Sequence, residues 1–145
     1  MGNPIMGDDG VGIHVVRILQ QKLSPRTQLQ FKELSVGGLK MVEEILDYEN
    51  VIIVDSYASN IIEPGRIREF TPEQFKDTLH ASSPHDTNFA TALELYKNLE
   101  PERIPKTIRI FTVDIAPTLT FSKNMSPQIQ EAASKAADLI MHEIE

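Results

Sequence analysis

The sequence contains no cysteine, which excludes a disulfide framework, a thiolate nucleophile and a zinc-finger-type site. Any metal bound here must be held by carboxylates or imidazoles. No apolar run approaches the ~20 residues needed to cross a bilayer, and no secretory signal peptide opens the chain. These absences predict a cytoplasmic protein without membrane insertion. Basic residues are not in excess either: 14 Lys and Arg stand against 21 Asp and Glu, for a formal net charge of −7. That balance argues against a nucleic-acid partner, which wants a basic face or stripe. Repeats, low-complexity tracts and long linkers are also missing. What remains is 145 residues, 41% hydrophobic and 24% charged, enough for a single domain over residues 1–145 with a real core.

The chain opens on a Gly/Asp-rich loop from Gly2 to Gly10. Val11, Val15, Ile18 and Leu19 follow at helical spacing, and the helix they predict ends near Ser24-Pro25. Leu29 and Phe31 alternate with polar residues, which predicts a half-buried strand. After Gly37-Gly38, Leu39, Val42, Ile45 and Leu46 mark a second amphipathic helix. Val51 to Val54 is a short β-branched run, read as a strand covered on both faces and ending at Asp55. Pro64-Gly65 predicts a turn into a strand around Arg66 to Phe70, and Pro72 to Leu79 a short helix. A polar stretch, Ser82 to Asn88, leads into a helix with Phe89, Leu93 and Tyr96 on its apolar face. Thr107 to Val113 reads as a strand with Asp114 at its end. Ser126-Pro127 predicts a helix start, with Ile129, Ala132, Ala133, Ala136, Leu139 and Ile140 turned inward. Alternating strands and helices imply a three-layer α/β fold: a mostly parallel twisted sheet with helices on both faces. Ligands of such sheets bind beyond the C-terminal strand ends.

Three segments at such loops could carry chemistry. The first is Gly2-Asn3-Pro4-Ile5-Met6-Gly7-Asp8-Asp9-Gly10-Val11-Gly12. Its glycines suit a phosphate cradle, but two adjacent carboxylates with no lysine would repel a phosphate. The plain structural alternative is that one aspartate, Asp8 foremost, caps the following helix while its neighbour projects into the cleft. The second is Asp55, whose charge at the end of a buried strand needs a partner, a metal or solvent; a turn or cap role there is also common. The third is Ser83-Pro84-His85-Asp86-Thr87-Asn88, where His85 follows a proline at a helix start beside an acid. His14, His80 and His142 read as ordinary surface or satisfied residues. Two carboxylates and one imidazole on separate loops form a ligand set suited to Ni²⁺ or Zn²⁺ with open positions.

Taken together, the Gly2–Gly12 loop, the strand ending in Asp55, and Ser83-Pro84-His85 resemble, in order and spacing, the hydrogenase maturation proteases. Gly37-Gly38 falls where that family carries its glycine pair, and Met125-Ser126-Pro127 resembles its last loop and helix. The resemblance covers nearly the whole chain. It implies an endopeptidase that removes the C-terminal extension of the nickel–iron hydrogenase large-subunit precursor after nickel insertion. It places Asp9, Asp55 and His85 at the family's three nickel-contacting positions, with nickel delivered by the substrate and no permanently bound metal. Gly37 and Gly38 would let backbone approach the substrate tail closely. The family has an acid just before this pair where this chain has Ser35-Val36. Family members also begin with an apolar strand before the Gly-Asn loop, whereas this chain starts at Met1-Gly2. The expectation is a domain truncated at its N-terminus relative to the family and missing that first strand. A second molecule could fill the vacancy by strand exchange, so the oligomeric state stays open. A carboxylate or a metal-polarised water could serve as the base. The rival functions are a non-catalytic nickel-sensing chaperone and a nucleotide-binding α/β module, the latter lacking a P-loop lysine.

Overall fold

The computed structural model describes residues 7–24, 28–58, 63–77, 84–117 and 124–144, without the side chains of 76–77 and 84–88. A 3-10 turn at Gly7–Gly10 runs into α1 (Val11–Leu23), followed by α2 (Gly38–Ile45), β1 (Asn50–Ala58) and β2 (Ile67–Phe70). Then come α3 (Pro72–Asp77), α4 (Pro84–Leu99), a 3-10 turn at Pro101–Arg103, β3 (Thr107–Ile115) and α5 (Pro127–Ile144). The expected opening strand bears on residues before Gly7, which lie outside the described ones, as do His80 and Ser82-Ser83. Among the described residues, no helix is long and apolar enough to cross a membrane.

The described strands form one sheet in the order β1-β3-β2. The Glu49 carbonyl accepts the N–H groups of Lys106 (2.9 Å) and Thr107 (3.3 Å), so β1 and β3 start side by side and run parallel. The Gly65 N–H donates to the Asp114 carbonyl (2.7 Å) and the Asp114 N–H to the Arg66 carbonyl (2.8 Å). This exchange joins the start of β2 to the end of β3, so that pair is antiparallel. The result is an α/β fold with a mixed sheet flanked by helices.

The chain divides into two compact units, and the two long strands contribute to both. The first unit comprises Met1–Ser35, Val54–Arg68 and Phe111–Glu145. In it α1 packs against α5. Val11, Val15, Leu19 and Leu23 recur every fourth residue and are buried, as are Ile129, Ala132, Ala133, Ala136, Ala137 and Ile140 of α5. Leu139, expected inward, is 44% exposed, and Ala137 is buried in its place. The stripe Ala133, Ala136, Ala137, Ile140 follows the i, i+3, i+4, i+7 spacing of one helix face, and Leu139 falls beside it. The Ser126 carbonyl accepts the first helical N–H groups of α5, from Ile129 (3.1 Å) and Gln130 (2.9 Å), with Pro127 at the first position, as predicted. Gly65 adopts φ +89°, which favours glycine, and the Gln128 side chain donates to the neighbouring Pro64 carbonyl (2.8 Å).

The second unit comprises Val36–Ile53 and Glu69–Ile110, with α4 packed against α2 and α3. Met41, Val42 and Ile45 are the buried face of α2, whereas Leu39 is 49% exposed. α4 starts at Pro84, so the polar stretch to Asn88 is already helical, and Phe89, Ala92 and Leu93 are buried. α3 begins with a reciprocal cap: the Thr71 N–H donates to Gln74 Oε1 (3.0 Å) and the Gln74 N–H to Thr71 Oγ1 (3.2 Å).

Three boundaries differ from the sequence reading. β1 continues to Ala58, so Asp55 lies within the strand; Val51 and Ile52 are only half-buried. Asp114 likewise lies within β3. Both strands outlast their β-branched runs because a ladder continues while backbone partners are available, whatever the side chain. Among the described residues, the segment around Leu29 and Phe31 shows the expected alternation of burial but carries no strand.

Candidate active site

The glycine-rich loop closes into the 3-10 turn Gly7–Gly10 immediately before α1, with Gly7 at φ +63°. The N-cap of α1 is Gly10, which has no side chain, so the cap position belongs to neither aspartate. Asp8 instead reaches the start of α5. Its carboxylate accepts the Ser126 N–H at 2.7 Å and the Ser126 hydroxyl at 3.0 Å. Negative charge at a helix N-terminus is favourable, because the first N–H groups leave partial positive charge there. The expected cap on the following helix is therefore not made; Asp8 holds the start of a different helix, far along the chain.

Asp9, the next residue, turns to β1. The Ser56 hydroxyl donates to Asp9 Oδ1 at 2.7 Å, and the Ser56 N–H donates to Asp55 Oδ1 at 2.8 Å. Both predicted acids thus meet at one serine, which sequence reading passed over. The available signal was a hydroxyl directly following a strand-borne aspartate. Two partly buried carboxylates gathered this way could ligate a hard or borderline cation, or take a proton from water.

The other predicted residues belong to the second unit. Gly37 is the extended N-cap of α2, and Gly38 takes φ +60°, a conformation glycine adopts without steric cost. His85 is placed by its backbone in the first turn of α4, and its side chain lies outside the described ones. Gly2-Asn3-Pro4 is outside the described residues as well. Among the described residues, no group of three or more His, Asp or Glu side chains is arranged to hold a metal.

A further acid sits in the interior of the first unit. Asp114 is fully buried, and its Oδ1 accepts Arg68 Nη2 (2.7 Å) and Nε (3.1 Å). The Arg68 guanidinium lies 4.5 Å over the Tyr57 ring, a cation–π arrangement. Asp114 Oδ2 receives no hydrogen bond among the described residues. Burial pushes the Asp114 carboxyl above its ordinary range, with Arg68 pulling the other way.

The HycI family model, described as hydrogenase maturation protease, matches residues 13–143. The hydrogenase expression/formation protein HupD of Thiocapsa roseopersicina is 22% identical over 143 residues, covering 97% of this chain. The chain spans 63% of the length of that curated relative. Among solved structures, the hydrogenase maturating endopeptidase HybD from E. coli superposes with a TM-score of 0.77 at 18% identity. That match covers 99% of this chain and 87% of the other. The [NiFe] hydrogenase maturation protease HybD from Thermococcus kodakarensis gives 0.71 at 23% identity, covering 99% and 95%. At these identities the two structures establish a shared fold.

Proposed function

The chain belongs to the hydrogenase maturation protease family, and from that premise we propose that it is an endopeptidase acting on the nickel–iron hydrogenase large-subunit precursor. It removes the precursor's C-terminal extension once nickel has been inserted. The observation that supports this most directly is the meeting of Asp9 and Asp55 at Ser56. Two acids 46 positions apart by their numbers are held to one residue, which a merely structural pair of turn formers would not require.

In this proposal Asp9, Asp55 and His85 contact the nickel of the docked precursor, and the metal arrives and leaves with the substrate. Holding the metal places the scissile peptide beside the carboxylates, and fixed geometry of this kind lowers the entropic part of the barrier. Water attacks the scissile carbonyl and its proton passes to a carboxylate of the Asp9–Asp55 pair; that carboxyl then returns the proton to the amide nitrogen as the C–N bond breaks, releasing the tail as an amine. Gly37 and Gly38 offer a side-chain-free backbone against which the tail can lie. In this proposal the setting is the cytoplasm.

The test is to incubate the protein with nickel-loaded large-subunit precursor and to measure the precursor's mass. Loss of the C-terminal extension is expected, whereas binding without any mass change would leave a chaperone role and overturn the endopeptidase. Asp9→Ala, Asp55→Ala and His85→Ala are expected to fold, by circular dichroism, and to trim at least ~100-fold more slowly. Wild-type trimming by any one of them would remove that residue from the site.

A further inference from the structure

We propose that Ser56 is a positioning residue: its hydroxyl and its N–H together set the orientation of the Asp9 and Asp55 carboxylates. The proposal rests on the endopeptidase reading for its consequence in catalysis, though its geometric content stands separately. The Ser56 Oγ to Asp9 Oδ1 distance is 2.7 Å, a well-formed hydroxyl hydrogen bond. From the same residue, the N–H donates to Asp55 Oδ1 at 2.8 Å.

The environment of Asp9 gives this hydroxyl its importance. Asp9 lies in a four-residue 3-10 turn, an element with poorer hydrogen-bond geometry than an α-helix. The backbone next to it is tethered through Asp8 to Ser126. The Asp9 side chain has its own rotatable bonds, and the Ser56 hydroxyl directs one of its oxygens. A carboxylate that must meet an incoming metal benefits from being oriented beforehand, because the ordering cost is then met at folding and not at binding. Valine or isoleucine would suit this position on β1 at least as well as serine, so strand propensity does not account for a hydroxyl here.

The experiment compares Ser56→Ala and Ser56→Thr with wild type in two measurements: the trimming rate of nickel-loaded precursor, and the crystallographic position of the Asp9 carboxylate. Ser56→Ala is expected to trim about 10- to 100-fold more slowly, the usual effect of losing a group that orients a metal-contacting side chain. Ser56→Thr, which keeps the hydroxyl and tolerates a strand, is expected to restore most of the rate. In Ser56→Ala the Asp9 carboxylate is expected to shift by more than about 0.5 Å or to split between conformers. An unmoved Asp9, an unchanged Ser56→Ala rate, or a Ser56→Thr as impaired as Ser56→Ala would each overturn the proposal. Complete loss of trimming in a folded Ser56→Ala would also overturn it, because a residue that only orients a carboxylate predicts a partial loss. If the wild type itself leaves the precursor uncut, the endopeptidase reading fails, and the Asp9 position in the two variants still decides what Ser56 orients.

Discussion

Asp8 and Asp9 are adjacent and chemically identical, yet their side chains serve different parts of the molecule. Asp8 accepts two hydrogen bonds from Ser126 at the head of α5, and Asp9 accepts one from Ser56 on β1. Replacing Asp8 with alanine removes a charged acceptor from a helix start and leaves the Ser126 N–H without its partner. The expected loss is about 1–3 kcal/mol of folding stability, the range for caps and charge-assisted hydrogen bonds. Urea unfolding would read it, and Asp8→Asn, which keeps an acceptor oxygen, is expected to recover part. A stability equal to wild type in Asp8→Ala would show that the Ser126 contact contributes nothing.

Between elements, the contact with the clearest energetic signature is that of Arg68 on β2 with Asp114 on β3. The strands exchange backbone hydrogen bonds at this point, and the ion pair lies in the interior with the guanidinium over Tyr57. Burial raises the Asp114 carboxyl above its ordinary value of 3.8, so the folded state binds that proton more tightly than the unfolded chain does. The contribution of this group is fully present below the unfolded value and is lost as pH rises through the folded one. The stability difference between wild type and Asp114→Asn is therefore expected to move in favour of wild type as pH falls through that window. Urea midpoints for both proteins across a pH series would show it; a pH-independent difference would count against the assignment. Elements of this size were largely legible in the sequence. The turn at Pro64-Gly65, β2, the start of α5 and the buried stripe of α1 all follow from local patterns. Strand ends were less legible, because Asp55 and Asp114 are polar residues that a ladder carries inside β1 and β3. Leu39 and Leu139 were misplaced because apolarity allows burial without requiring it.

For the whole molecule, the proposed chemistry makes the nickel a passenger of the substrate. Treating this protein with a chelator, followed by removal of the chelator, is expected to leave its trimming of nickel-loaded precursor unchanged. Stripping nickel from the precursor is expected to abolish trimming. Loss of activity after the first treatment that nickel restores would instead assign the metal to this chain. The sequence by itself determined the α/β class, the helix stripes and the order of motifs that marks the family, because these are properties of neighbouring residues and their period. It also singled out Asp9 and Asp55. Only the tertiary structure decided which of two neighbouring aspartates holds a helix start and which accepts a strand serine, and only it brought Ser56 into view. The physical reason is separation along the chain: Asp9 finds its serine 47 residues away and Asp8 its own 118 away. No local pattern of polarity encodes a hydrogen bond over that distance; folding of the intervening chain creates it.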